Sequence, residues 1–402
     1  MNPAASEDEK ASKKRILFAT IAAGNSHVST AEALSEALET YFPDCFDLRI
    51  SEIMVEFGFG RFDSLHKATW RRALQHPWTV VWGQRLIDRF PQGTVSFHRW
   101  LLRDLAMRAA NQLNADPPDL IVVNHGWLTV ALTASQQQFG LKVPVLTYET
   151  STVNANALWA DVDAERFVVG SPLSKKRLVG FGVRPDKIDV VGYPVRQAFL
   201  HAPSKEAARA QLGLDNHFTC LITLGGEGMG GDPFIITRAL QELTPRAQVV
   251  VITGRNRELR ARLEALPEIP RLIVRGFVDD MASYIAASDV VIAKTGPATV
   301  FETLAVGRPI IAPMRSGGVE NKLIEILERQ HLGKYAPTLP ELLAIIDHYR
   351  HDPAALAAVS HKAAALDFRG MAKRLARYIA HYAMTHEVDP RTHGAGLGTL
   401  VQ

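Results

Sequence analysis

The sequence predicts two consecutive α/β domains, each a parallel sheet with helices on both faces, and three observations lead to that reading. Short apolar runs bounded by turns recur along both halves, separated by helix-compatible segments. The rhythm lapses in a polar stretch from Gly192 to about Ala208 and then restarts. The 402 residues exceed what one ordinary domain holds, and a 47% hydrophobic content suits sizeable soluble cores.

The first strand signal is Arg15-Ile-Leu-Phe-Ala-Thr-Ile21, followed by a Gly-containing turn and a helix with Ala31, Leu34, Leu38 and Tyr41 on one face. Further strand signals fall at Leu120–Val123, Val143–Thr147 and Phe167–Val169. After the polar seam they resume at Thr219–Leu224, Val249–Thr253, Leu272–Val274, Val290–Ala293 and Pro309–Ala312. Continuous apolar runs of this kind are what a sheet covered on both faces requires. The architecture repeats, but no sequence period does. From about Leu339 the chain reads as Ala-rich helices, and from Asp389 onward Pro, Gly and Thr predict a fraying end.

Composition excludes several classes. No apolar run approaches the roughly 18 residues of a membrane span. The opening MNPAASEDEKASKK is polar and lacks the apolar stretch of a secretory signal, so it reads as a disordered leader. Two cysteines, Cys45 and Cys220, in different halves suit a reducing cytoplasm and argue against a disulfide framework or zinc site. The formal charge of +3 is unevenly placed. From Arg61 to Arg103, eight Lys/Arg face only Asp63 and Asp88, so this segment carries +6 and the remainder is net negative. The surrounding stretch, 52–104, interrupts the first domain's rhythm. It holds Trp70, Trp78, Trp82 and Trp100, with Phe57, Phe59, Phe62, Phe90 and Phe97 interleaved among the arginines.

The main constellation lies in the second half. Leu224-Gly-Gly-Glu-Gly-Met-Gly-Gly231 follows a strand and precedes a helix starting near Pro233. Such a loop lets main-chain N–H groups approach phosphate oxygens at a helix N-terminus; taken alone, it is also compatible with a plain tight turn. It lacks the GK[ST] of a P-loop, so ATP hydrolysis is not suggested. Gly254-Arg-Asn256, Gly276-Phe277 and Lys294-Thr-Gly-Pro-Ala-Thr-Val-Phe-Glu302 end the next strands, and in an open parallel sheet these ends share one ligand-binding edge. Pro297 suits the first helical turn and leaves nearby N–H groups free for an anion. Glu302 can accept from a ribose diol; alone it would read as a solvated helix acid.

This order of motifs resembles the glycosyltransferase family that contains monogalactosyldiacylglycerol synthases, processive diacylglycerol glucosyltransferases and the peptidoglycan lipid-intermediate N-acetylglucosaminyltransferase. The resemblance spans nearly the whole chain and is best from Thr219 to Asn321. It implies a GT-B fold of two Rossmann-like domains facing a cleft, and inverting transfer from a UDP-sugar without a catalytic metal or other cofactor. The implied division is a leader at 1–14, an acceptor-side domain at 15–200 with a membrane-associating insert at 52–104, and a UDP-sugar-binding domain at 209–365. Residues 366–402 would form a helix returning toward the N-terminal domain and a flexible tail.

By match, the donor would meet Gly24, the loop Gly225, Gly226, Glu227, Gly228, Met229 and Gly230 at the diphosphate, and Arg255 and Asn256. Phe277 with Val278 would face the base and Glu302 the ribose. Lys294, Thr295, Gly296, Pro297 and Thr299 complete that block. A family GQE appears here as Gly318-Val-Glu-Asn321, so Glu320 and Asn321 persist while Val319 replaces the amide; the resemblance therefore names the nucleotide better than the sugar.

In the first domain, Ala23-Gly-Asn-Ser-His27 looks like the family's GGGH or GNGH loop, with Ser26 replacing a glycine. At a strand–helix turn, an imidazole can take an acceptor hydroxyl's proton near neutral pH, which makes His27 the candidate base. His125, in Val123-Asn-His-Gly-Trp127, is its rival. Tyr148-Glu149 stands where relatives carry Thr-Asp, so Glu149 either orients the acceptor, shares the proton or caps a helix. Asp161-Val-Asp163 has the spacing of a metal–nucleotide DxD but falls outside the nucleotide loops, and no metal ligand is assigned.

The basic insert has three readings: ordinary partly buried residues, a nucleic-acid surface that no module supports, or an interfacial surface. The resemblance favours the last, with Trp70, Arg71, Arg72, Trp78, Trp82 and Arg85 at an anionic membrane surface. The expected function is hexose transfer to a membrane lipid hydroxyl, diacylglycerol first, by a protein peripheral on the inner face of the cell membrane. Alternatives are a cell-wall lipid precursor or soluble natural product as acceptor, a UDP-sugar 2-epimerase, and UDP-sugar binding without catalysis.

Overall fold

The computed structural model describes residues 13–22, 25–75, 77–223, 236–237, 247–266, 270–315, 318–394 and 396–401. The first domain alternates β1 (Lys14–Ala19), α1 (Asn25–Tyr41) and β2 (Phe46–Ser51), then runs through four helices, α2 (Gly60–Gln75), α3 (Pro77–Arg89), α4 (Pro91–Leu101) and α5 (Arg103–Ala115). It continues with β3 (Leu120–Val123), α6 (Gly126–Phe139), β4 (Val145–Glu149), β5 (Arg166–Val169), α7 (Pro172–Gly180) and β6 (Ile188–Val190). All pairings are parallel, in the order β2-β1-β3-β4-β5-β6. Strands β3 and β4 are buried at every position, because helices cover both faces.

Two short helices, α8 (Gln197–Leu200) and α9 (Lys205–Leu212), carry the chain across the seam. The second sheet comprises β7 (Thr219–Thr223), β8 (Gln248–Ile252), β9 (Leu272–Arg275), β10 (Val290–Ala293), β11 (Ile310–Ala312) and β12 (Gly333–Tyr335). Its order, β12-β11-β10-β7-β8-β9, is again wholly parallel. Counted within the domain, this is the doubly wound 3-2-1-4-5-6 arrangement, with its topological switch between β7 and β10. In the first domain the order reverses between β1 and β3.

The seam is held by one buried run. Tyr193 and Phe301 pack with tilted rings 4.5 Å apart between centroids, and Phe301 meets Phe368 at 6.0 Å. Helix Phe368–Thr385 packs on α1, and Arg369 donates to the Leu200 carbonyl at 2.6 Å. Tyr378 and Tyr382 reach Asp189 at 2.7 Å and Glu165 at 2.6 Å on the first domain.

The tail corrects the expectation of fraying from Asp389. Gly394 N–H donates to the Val190 carbonyl and Leu397 N–H to that of Gly170, while Leu397 and Leu400 are buried. Apolar anchors and carbonyls at the ends of β5 and β6 order a segment whose Pro/Gly composition alone suggested a loose end. The DxD acids likewise serve structure: Arg99 on α4 binds both Asp161 and Asp163, fastening the insert to the domain body.

At the crossing, Gly192 has φ +150°, and a Cβ there would lie 2.6 Å from Met371 Cγ. Its carbonyl also accepts from Tyr148 Oη at 2.9 Å. Gly192→Ala is therefore expected to cost about 2 kcal/mol or more. Chemical denaturation checks it; a loss below about 0.5 kcal/mol, the range of neutral surface changes, would show that Met371 yields freely.

Candidate active site at the domain interface

The carboxyl ends of β1, β3 and β4 bring together the residues that follow them. His27, in the first turn of α1, points its Nδ1 at the Asn124 carbonyl at 2.7 Å, and Thr150 Oγ1 lies 3.3 Å from the same nitrogen. A carbonyl only accepts, so Nδ1 carries the proton and Nε2 keeps its lone pair. The Asn124 side chain donates back to the His27 carbonyl at 2.6 Å, locking strand end to helix start.

His125 packs on His27 with centroids 4.6 Å apart, but its hydrogen bonding is opposite. It is the N-cap of α6, and its Nδ1 accepts from Trp127 N–H at 3.2 Å. With that lone pair committed, the proton of neutral His125 sits on Nε2, which makes this ring a donor toward the site. The geometry thus separates the two candidates: His27 has the base's tautomer and His125 does not.

Two histidines of the insert complete the cluster. His66 meets Trp127 at 4.1 Å and His125 at 5.9 Å, and His98 meets Trp127 at 5.5 Å. Burial lowers the pKa of all four: His27 to about 4, His125 well below its ordinary value, and His66 and His98 downward. The Asn124 carbonyl pulls His27 partly back up. All four rings are therefore neutral at pH 7.

Glu149 is fully buried at the end of β4. Its Oε1 accepts from Ser151 N–H at 2.6 Å, and burial pushes its pKa up. The structure thus places it as a clamp under its own loop, and the side chain from this strand end that meets His27 is Thr150. Glu52 accepts from Ala22 N–H at 3.1 Å and from Lys67 of α2 at 2.7 Å, tying the loop after β1 to the insert.

On the opposite side, Gly296 is the N-cap of helix Pro297–Ala305, with Pro297 at its start and no side chain capping it. The first N–H groups of this helix are thus left for a ligand. Thr295 is buried, its hydroxyl donating to the Glu320 carbonyl at 3.0 Å, and Lys294 lies 3.6 Å from the Glu320 carboxylate. Arg255 lies over the exposed ring of Phe277 at 5.1 Å, Asn256 caps the helix Arg257–Glu264, and Val278 packs against the core. Thr299 is half-buried on Pro297–Ala305, and Gly318, Glu320 and Asn321 open the helix Gly318–Arg329. Glu302 is buried and binds Arg196 Nε through Oε1 at 2.8 Å. Gly24 and the glycine loop 225–231 lie outside the described residues.

The two halves meet. A methyl group placed on Gly296 would lie 3.9 Å from Ser26 Oγ, 3.8 Å from Glu320 Oε1 and 4.0 Å from Lys294 Cε. Ser26 precedes His27, so the switch-point loops of the two sheets face each other across one cleft. Sequence reasoning missed Asn124, Thr150, His66, His98 and Arg196. Asn124 and Thr150 sit at strand ends and were findable by position; nothing in the sequence places His66 or His98 beside residue 27.

The insert turns a different face outward. On α3, Trp78, Trp82 and Leu86 recur at four-residue spacing and are each more than 60% exposed, with Arg85 over the Trp82 ring at 5.7 Å. Trp100 and Phe97 of α4 are exposed as well, as is Arg72 of α2. A helical stripe with that exposure is not core. The side chains of Trp70 and Arg71 lie outside the description. An open cavity of about 440 Å³ lies between α3 and the residues Asn154 and Arg177; a second, of about 350 Å³, shares Asn154 and Arg177 and is also lined by Lys322 of the second domain. No described helix is long and apolar enough to cross a membrane.

Two parallel doubly wound domains with facing switch-point loops define the GT-B class, and solved structures bear this out. An Anabaena protein, HepE, in complex with UDP and glucose superposes with a TM-score of 0.57 at 19% identity, over 93% of this chain and all of that one. The S. aureus MnaA–UDP structure superposes with a TM-score of 0.60 at 13% identity, over 94% and 99%. Residues 235–324 match the glycosyltransferase family 28 C-terminal domain.

A probable monogalactosyldiacylglycerol synthase 2 of Oryza sativa subsp. indica is 29% identical over 75% of this chain and 66% of its own length. The monogalactosyldiacylglycerol synthase of Spinacia oleracea is 26% identical over 85% and 67%. A processive diacylglycerol beta-glucosyltransferase of Staphylococcus carnosus is 27% identical over 67% and 69%. The matched region spans about two thirds of the length of these relatives. The family resemblance read from the sequence is borne out: the relatives matched include monogalactosyldiacylglycerol synthases and a processive diacylglycerol beta-glucosyltransferase, and residues 235–324 match the family 28 C-terminal domain.

The histidine cluster carries a pH signature. A histidine whose pKa falls on folding leaves the unfolded chain as the better proton binder, so stability drops as pH falls below the unfolded value of 6.5. His27 alone, shifted from 6.5 to about 4, would contribute a loss on the order of 3 kcal/mol by pH 4. Thermal melts from pH 7.5 to 4.5 should show the midpoint falling below pH 6.5, and less so in a His66→Gln/His98→Gln variant. An unchanged pH dependence in that variant would mean the insert's two rings keep their ordinary pKa in the folded protein.

Proposed function

We propose that this chain transfers a hexose from a UDP-sugar, with inversion, to a hydroxyl of a membrane lipid, diacylglycerol first among them. The observation that supports the reading is the approach of Ser26, next to His27, to Gly296 across the cleft: an imidazole whose Nε2 keeps its lone pair faces an uncapped helix N-terminus. The relatives' names, which specify diacylglycerol, support the acceptor class.

The chemistry follows. The acceptor hydroxyl gives its proton to His27 Nε2 as its oxygen bonds to the sugar's anomeric carbon. The bond from that carbon to the diphosphate oxygen breaks on the opposite face, which inverts the configuration. UDP leaves with the electron pair. Its growing charge would be met by the N-terminus of helix Pro297–Ala305, Lys294 and Arg255, so the reading needs no metal or cofactor. Phe277, exposed beneath Arg255, suits the flat uracil base.

The Trp78–Trp82–Leu86 stripe and its arginines support attachment to an anionic surface, the inner face of the cell membrane on this reading. The larger cavity lies between α3, which bears this stripe, and Asn154, and on this reading receives part of a lipid held at that surface.

Purified protein given UDP-glucose, UDP-galactose, UDP-N-acetylglucosamine or UDP-glucuronate and a lipid extract should yield a glycosylated diacylglycerol by mass spectrometry. Product only on soluble acceptors, or none, would overturn the assignment. His27→Ala should lower kcat by about 10²–10⁴-fold with UDP affinity retained, and near-normal turnover would remove His27 from the mechanism. In the wild type the acid limb of kcat/KM should fall near His27's value of about 4, since the base must be neutral; a limb at 6–7 would point to another group. Trp78→Ser/Trp82→Ser should abolish sedimentation with anionic vesicles, itself weakened by high salt, and spare activity on micellar diacylglycerol. Unchanged sedimentation would place the membrane face elsewhere.

A further inference from the structure

Arg196 has no part in the chemistry described so far, yet its surroundings are unusual. It sits on the chain's first crossing between domains, just before α8, and is largely buried. Its Nε bonds Glu302 Oε1 at 2.8 Å, and its Nη1 lies 3.5 Å from Glu32 Oε2. The next residue's N–H donates to Glu36 at 2.6 Å, and the guanidinium lies over Phe199 at 5.0 Å. Glu32 and Glu36 belong to α1, the helix that begins beside His27. Glu32 lies five positions after His27, about 7.5 Å along the axis.

One guanidinium thus joins a carboxylate on the donor side to a carboxylate on the helix that bears the base. Three acids, Glu32, Glu36 and Glu302, converge here. Burial and the two neighbouring acids disfavour the ionised form of Glu302, and Arg196 opposes them. The pair uses Oε1, leaving Oε2 as the oxygen for a ribose hydroxyl.

We propose that Arg196 is a positioning residue for the donor: it holds Glu302 ionised and oriented toward the ribose and fixes the donor domain's register against α1. This rests on the reading of Glu302 as the ribose acceptor. A fork geometry is required because the same group must face two carboxylates on different domains, which a lysine's point charge does less well.

A double-mutant cycle tests it, with UDP affinity measured by calorimetry on the full chain and turnover measured alongside. Glu302→Gln and Arg196→Ala should each weaken UDP binding about tenfold, and the double variant should be no weaker than the poorer single one, since both remove the same interaction. KM for the UDP-sugar should rise with kcat within about threefold, and Arg196→Lys should recover part of the loss. If Arg196→Ala does not fold, the cycle with Arg196→Lys decides in its place. A hundredfold, additive loss would show Arg196 acting independently of Glu302 and overturn the proposal. So would an Arg196→Ala protein that binds UDP normally while Glu302→Gln does not. If Glu302→Gln itself binds UDP normally, the donor-site reading falls first, and the proposal with it.

Discussion

Parallel strands joined by crossovers release all their following loops on one side of a sheet, and where strand order reverses, two neighbouring loops diverge and leave a crevice. Both sheets of this protein obey that constraint. The reversal between β1 and β3 sets the loop bearing Ser26 and His27 beside the Asn124-His125 strand end. The reversal between β7 and β10 sets Lys294–Pro297 beside the carboxyl end of β7 at Thr223. Everything chemical depends on the two crevices facing each other, as the approach of Ser26 to Gly296 shows. The crossing at Gly192–Arg196 and the return of helix Phe368–Thr385 keep them so.

Around His27, burial and hydrogen bonding act together. Burial alone would leave an imidazole neutral but free to choose its tautomer. The Asn124 carbonyl makes that choice for His27, and the Trp127 N–H makes the opposite choice for His125. Two adjacent rings are thereby given different roles by backbone groups that no substitution pattern would reveal. Burial keeps both rings uncharged, and His66, supplied by the insert, adds to it by discouraging a proton on either.

The insert divides its labour along its length. Helix α5 turns Leu105, Ala106, Ala109, Ala110 and Leu113 into the core as an ordinary crossover helix would. Helix α3 does the reverse, leaving Trp78, Trp82 and Leu86 in solvent. It also touches the helix Gly318–Arg329, so the outward-facing surface and the donor side of the cleft are mechanically adjacent.

Much of this was legible in the residues. The buried central strands announce themselves as apolar runs, and four donor-side motifs fall in order at strand ends. The strands that escaped, β2, β6 and β12, all lie at sheet edges, where Asp47, Arg49, Asp189 and Lys334 interrupt any apolar run. Glu149 was chosen because a carboxylate ends β4, but side-chain direction decides what it reaches, and it reaches Ser151. Glu302 was chosen as the ribose acceptor from its place in the motif; that it is buried and held by Arg196, 106 residues away, only the structure shows. By itself the sequence determined the two sheets, their loops and the nucleotide motifs, because hydrophobic period and turn chemistry are local. Only the tertiary structure decided which histidine can act as base, which arginine holds Glu302 and which tryptophans face outward, because hydrogen-bond direction and burial depend on residues the chain brings together from far apart.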